Sequence, residues 1–129
     1  MARGLEIRQA HFPGRAPIEA YGDGGFRFAE MSHRGSILCL PSGIYGWEPA
    51  DRAALTEADF ERLIAEANSV EVLLVGTGPS LQPLPKDLKT RFRDLGISSD
   101  PMSTGAAVRT YNVLLAEDRA VAAALFSVE

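Results

Sequence analysis

The sequence predicts an α/β domain: a largely parallel, helix-covered sheet with a β-hairpin on its N-terminal side. Three observations lead there. After residue 25, strand-like and helix-like apolar patterns alternate along the chain, as in a sheet whose strands are joined by helices. Val72-Leu73-Leu74-Val75 is a continuous apolar run, the pattern of a strand buried on both faces. Helix punctuation stands where the pattern needs it, with Pro85 before one helical stretch and Gly96 after it.

The elements follow in order. Residues 1–24 read as an irregular N-terminal arm, because Pro13-Gly14, Pro17 and Tyr21-Gly22-Asp23-Gly24-Gly25 are strong breakers. Ile18 and Tyr21 can still pack against the sheet. Gly25–Met31 alternates, with Phe26 and Phe28 on one side and Arg27 on the other, and reads as a half-buried strand. Ser32-His33-Arg34-Gly35 connects it to a second strand at Ser36–Leu40, completing the hairpin. Gly43-Ile44-Tyr45-Gly46-Trp47 is an aromatic loop or short strand.

Thr56-Glu57-Ala58-Asp59 has the form of a capping box. The helix after it sets Phe60, Leu63, Ile64 and Ala67 at helical spacing, and Asn68-Ser69 stops it. Val70–Gly76 is the buried strand. Pro85 opens a helix with Leu88, Phe92 and Leu95 inward, and Gly96–Ser99 is short and strand-like. Ser103 or Thr104 caps a third helix, which runs to about Glu117 with Ala107, Tyr111, Leu114 and Leu115 inward. Asp118-Arg119 turns the chain into a last strand at Ala120–Val128. These elements use the 129 residues as one domain, a size that buries about two-thirds of the unfolded surface.

Composition removes several function classes. The net charge is −4, and the basic excess around Lys86, Lys89, Arg91 and Arg93 is diluted by Asp87 and Asp94, so no basic stripe for nucleic acid is expected. No run approaches the roughly 20 apolar residues of a membrane span. Met1–Glu6 lacks the apolar core of a secretory signal, which makes secreted and outer-membrane readings weak. Cys39 is the single cysteine, so neither an intrachain disulfide nor a paired-cysteine zinc site is expected. His11 and His33 make no metal cluster. No metal and no cofactor are expected, and a reducing, cytoplasmic-type compartment fits best.

Five places carry candidate chemistry. Gly76-Thr77-Gly78 follows a strand and invites a dinucleotide reading. The third glycine of that fingerprint is replaced by Leu81, and no Gly-Lys-Ser/Thr follows, so a tight turn or a ligand loop remains. Met102-Ser103-Thr104-Gly105 opens a helix, where free N–H groups and the helix dipole suit an anion, unless Ser103 or Thr104 simply caps it. The topology brings it beside Gly76–Gly78, at the carboxyl ends of the strands. Arg109 and Asn112 share a helix face; they reach a ligand there, or bond neighbouring loops. Tyr45 and Trp47 serve equally as partner anchors or as cover for the core edge. Cys39, within Ile37-Leu38-Cys39-Leu40, reads as a small buried apolar residue. No catalytic residue is assigned.

Taken in order, Pro13-Gly14, Ile18, Tyr21-Gly22, Gly24-Gly25-Phe26, Ser32-His33-Arg34-Gly35-Ser36 and Leu40-Pro41-Ser42-Gly43 with Trp47 make one half of a series. Leu74-Val75-Gly76-Thr77-Gly78, Gly96-Ile97, Met102–Ala107 and Arg109–Leu114 with Glu117 and Arg119 make the other. The series resembles the small uncharacterised "Mth-type" domain family, which includes the mitochondrial NADH:ubiquinone oxidoreductase complex assembly factor 3 and an adipogenesis-associated domain protein. The resemblance covers the chain from about residue 5 to its end. It implies three layers: a central mixed, mostly parallel sheet with one antiparallel strand, helices, and an added β-hairpin.

The resemblance implies no catalytic activity. It points to a binding or assembly protein with a protein partner, working on respiratory complex I at the inner face of the membrane. The alternative expectation is a small-molecule or anion-binding protein, or an enzyme, with its pocket between Gly76–Gly78 and Met102–Gly105.

Overall fold

The computed structural model describes residues 10–129; the expectation for Met1–Glu6 lies outside them. Its first strand, Ala10–Phe12 (β1), is short. Ile18–Gly22 (β2), Gly25–Phe28 (β3) and Met31–Arg34 (β4) form a three-stranded antiparallel sheet of their own. Two strands thus lie where the breakers suggested an irregular arm. Both turns are two residues long, and both have φ > 0 at each central residue: +51° and +80° at Asp23-Gly24, +49° and +61° at Ala29-Glu30. That is the condition of a type I′ hairpin turn, whose twist matches the strands it joins.

These turns correct the expected hairpin. Gly25–Met31 is not one strand, and it does not pair with Ser36–Leu40. Ala29-Glu30 carries no turn signal, so the break there was hidden. The strand at Ile37–Leu40 (β5) is buried at all four positions, which requires neighbours on both sides rather than a place at the rim. It pairs antiparallel with Gly43–Gly46 (β6) and with Val121–Leu125 (β9).

The larger sheet also holds Val72–Gly76 (β7) and Ser98–Met102 (β8), in the order β1-β6-β5-β9-β7-β8. Pairing is parallel across β9-β7-β8 and antiparallel across β1-β6-β5-β9. By direction, β6, β7, β8 and β9 run one way and β1 and β5 the other. The sheet is therefore mixed and mostly parallel, with two opposed strands where the resemblance implied one.

Strand β8 runs three residues past the expected Ser99, through Pro101. Ser98 N–H donates to Glu71 O (2.9 Å), and Met102 O accepts from Thr77 N–H (2.8 Å). Alternate positions thus face β7, and Pro101 falls on the outward side of an edge strand, where no donor is needed.

Three α-helices cover this sheet, among the described residues. Glu61–Ala65 (α1) lies between 3-10 turns at Glu57–Phe60 and Ala67–Ser69, so the expected single helix is broken into short pieces. Its start is fixed as predicted, Thr56 N–H donating to Asp59 Oδ2 at 2.8 Å. Lys86–Asp94 (α2) follows Pro85 directly. Gly96, at φ +82°, turns its end so that Ile97 N–H reaches Phe92 O at 2.9 Å. Thr104–Ala116 (α3) is the longest.

Alternation along the strands sends side chains to two cores. Leu38, Leu40, Leu73, Val75, Ala122 and Ala124 meet Phe60, Leu63, Leu88 and Phe92 on the α1–α2 face. Ile37, Cys39, Leu74, Val121, Ala123 and Leu125 meet Ala107, Val108 and Tyr111 of α3, with Ile18, Phe26 and Phe28 of the small sheet, on the other. The layers are therefore helices, mixed sheet, and a third layer made of α3 and the hairpin sheet.

Candidate binding site

The two segments expected to meet do meet, at the carboxyl ends of β7 and β8. Thr104 N–H donates to Gly78 O (2.8 Å), and Gly78 N–H donates back to Thr104 Oγ1 (3.0 Å). Thr104 Oγ1 in turn donates to Phe126 O at 2.7 Å, and Phe126 N–H donates to Gly76 O at 2.9 Å. One hydroxyl, 0% exposed, thus laces α3 to the strand ends of β7 and β9.

Gly76 suits this closeness, since a side chain there would force its neighbours to shift by a few tenths of an ångström. A Cβ there would lie 3.0 Å from both Leu125 Cδ2 and Thr104 Cα. Ser103 is the cap, its Oγ accepting from Ala106 N–H at 3.3 Å. Met102 is half-buried and packs into the α3-side core. The junction is closed by direct bonds between Gly76–Gly78 and Thr104.

Asn112 is used within the fold. Its Oδ1 accepts from Ile18 N–H (2.8 Å) and its Nδ2 donates to Ile18 O (2.9 Å). The carboxamide so imitates a neighbouring strand and holds the start of β2 on α3. Arg109 is exposed on the same helix, with Nη1 3.6 Å from where a Cβ on Gly105 would stand. Tyr21 crosses Gly105 more closely, its hydroxyl 2.4 Å from that point.

The aromatic loop divides. Trp47 is 5% exposed, its indole stacked on Phe126 at 4.8 Å and its Nε1–H donating to Asp59 O at 2.8 Å. As placed, it is core rather than surface, because a ring of that size finds both apolar cover and a partner for its N–H only inside. Tyr45 stays half-buried at the surface. Its ring lies beneath the Arg62 guanidinium at 4.3 Å, and its hydroxyl lies 2.6 Å from Ser42 Oγ.

Cys39 is fully buried beside Tyr111. Burial pushes its thiol up to about 12, and a hydrogen bond with Tyr111 opposes that weakly. Burial likewise raises the Tyr111 phenol, Cys39 adds to the rise, and the nearby Arg15 counters it. A thiol held protonated is a poor nucleophile.

Sequence reasoning missed Arg52. Its Nη1 donates to Ser127 O (3.1 Å), and its Nη2 donates to Ser36 Oγ (3.1 Å) and Ser127 Oγ (2.9 Å). The guanidinium lies 4.5 Å from the Phe126 ring centre. It borders a hollow of about 510 Å³ that Thr77 also lines. Nothing in Asp51-Arg52-Ala53-Ala54 signals this, since every partner of Arg52 is distant in sequence. A more open groove of about 990 Å³ runs between α2 and β8, with Lys86, Lys89 and Arg93 set against Glu71 and Asp100.

Fold and junction together define a three-layer α/β domain in which the α3 start is tied to the strand ends by direct hydrogen bonds. The chain belongs to the family described as "Protein of unknown function (DUF498/DUF598)", whose model matches residues 18–126. It is 42% identical to an uncharacterised protein of Rhodobacter capsulatus, over 92% of this chain and 90% of that protein. It is 27% identical to the Mus musculus protein "NADH dehydrogenase (ubiquinone) 1 alpha subcomplex assembly factor 3", over 94% of this chain. It spans 65% of that protein's length, just under two-thirds.

Among solved structures, one described as an outer membrane protein from Bartonella henselae matches with a TM-score of 0.88 at 63% identity. That match covers 92% of this chain and 100% of the other. A Bordetella pertussis protein described as a Mth938-like domain matches with a TM-score of 0.76 at 27% identity, over 87% and 85% of the two chains. Among the described residues of this chain, no helix is long and apolar enough to cross a membrane.

Proposed function

We propose that the protein is a non-enzymatic binding or assembly protein that assists the assembly of respiratory complex I, working in the bacterial cytoplasm at the inner face of the membrane. The observation that supports this reading is the likeness to the mouse assembly factor across 94% of this chain. The aligned region is this domain itself, so a shared protein-handling role would reside in it. The partner surface is the Tyr45 face. There an aromatic ring and the Arg62 guanidinium lie together at the surface, the residue types that dominate binding at protein interfaces. Tyr45 itself packs against the core cluster that contains Trp47.

Deleting the gene in the source bacterium and resolving membranes on native gels tests this. Intact complex I should fall several-fold, return with the wild-type gene, and return poorly with Tyr45→Ala. Unchanged complex I in the deletion strain would overturn the assembly role.

A further inference from the structure

We propose that the hollow beside Thr77 binds a small organic monoanion, a carboxylate on an apolar body, with Arg52 holding the carboxylate. This goes beyond the assembly role and does not depend on it. The hollow is about 510 Å³, within the roughly 300–1,000 Å³ of small-molecule sites. It lies past the carboxyl ends of β7 and β9, where α/β sheets place ligands. It opens on the α1–α2 face, not at the closed junction with α3.

The lining divides by chemistry. Leu55, Leu84, Pro83, Pro85 and Phe126 supply apolar wall, while Arg52, Thr77 and Gln82 supply the polar groups. A mostly apolar wall with a few placed polar groups is the usual composition of such a site. Thr77 Oγ1 already donates within the loop, to Ser80 O at 2.8 Å, and accepts from Gln82 N–H at 2.9 Å. It therefore shapes the floor and the rim.

Arg52 is the group that selects the ligand. The partners the structure gives it are a carbonyl, two hydroxyls and an aromatic ring. All are neutral, so they fix the guanidinium in place without neutralising it. Three of its five N–H donors are used in this way, both of those on Nη2 among them; Nε–H and one N–H on Nη1 remain, on different edges, and a carboxylate takes one of them. A guanidinium so fixed suits a carboxylate, because little freedom is lost on binding. Arg52 stands exposed at the rim of the hollow, so its single positive charge meets the one negative charge of a carboxylate whose apolar body lies against Leu55, Leu84 and Phe126.

The test uses hexanoate and its uncharged analogue hexanamide, titrated into the full-length 15N-labelled protein and followed by amide chemical shifts. Hexanoate should move Ala53, Leu55, Thr77, Gln82 and Phe126 saturably, and hexanamide should bind at least tenfold more weakly. Arg52→Gln should weaken hexanoate at least tenfold and leave hexanamide unchanged. Because Arg52→Gln also loosens the clamp on Ser127, Ala53→Trp provides a second variant. It adds bulk at a residue that lines the hollow and removes none of the partners of Arg52, and it should abolish both responses. The proposal is overturned if hexanoate gives no saturable shift at these residues. It is equally overturned if hexanamide binds as well as hexanoate, or if Ala53→Trp binds undiminished.

Discussion

Cys39 shows how one buried side chain sets a pH limit on the whole fold. Its thiol is raised to about 12 in the folded protein, chiefly by burial; in the unfolded chain it titrates near its ordinary value of about 8.5. The folded state therefore favours the protonated form. Below about 8.5 both states hold the proton, and the stabilisation is fully present. As pH rises towards 12 the unfolded chain gives up its proton first, and stability falls. Tyr111, also raised by burial, acts in the same sense at higher pH. Urea midpoints measured from pH 8 to 11 should fall more steeply for the wild type than for Cys39→Ala; equal slopes would refute this. The sequence placed Cys39 correctly as a buried apolar residue, because its neighbours Ile37, Leu38 and Leu40 leave a thiol no exposed side. It could not show Tyr111, which lies far along the chain.

At the scale of elements, the decisive joint is where α3 meets the ends of β7 and β9. Ser103 and Thr104 both read as capping residues from sequence, and the structure separates them. Ser103 makes a long cap bond, and its change to alanine should cost about 1 kcal/mol or less. Thr104 bonds Gly78 N–H and Phe126 O from a fully buried place. Thr104→Val keeps the volume and orphans both groups, so it should cost about 1–3 kcal/mol more than its shape suggests. Chemical denaturation of the two variants checks the order, and a Ser103→Ala cost above that of Thr104→Val would contradict it. Helix ends were legible because caps and breakers are local chemistry: Thr56 with Asp59, Pro85, Gly96. The hairpin turns were legible in part. Asp23-Gly24 is a strong two-residue hairpin signal, though it reads equally as a breaker, whereas Ala29-Glu30 adopts φ > 0 without any residue that favours it.

At the scale of the molecule, the sheet is protected unevenly. β7 and β9 are paired on both sides and lie between the two cores, while β4 is an edge strand with mostly exposed side chains. Hydrogen exchange should therefore show Leu73–Val75 and Ala122–Ala124 opening only with global unfolding, and β4 opening locally at much lower free energy. Equal protection of β4 and β9 would refute this. The sequence alone determined the α/β class, the alternation of strands and helices, and the meeting of Gly76–Gly78 with Met102–Gly105, because each follows from local periodicity and short connections. Only the tertiary structure decided which strands pair, that β5 leaves the hairpin for the larger sheet, and that Trp47 and Asn112 serve the fold. It alone brought Arg52 to the rim of a hollow beside Phe126. Those outcomes depend on contacts between residues tens of positions apart, where burial and hydrogen-bond completion, not local propensity, select the arrangement.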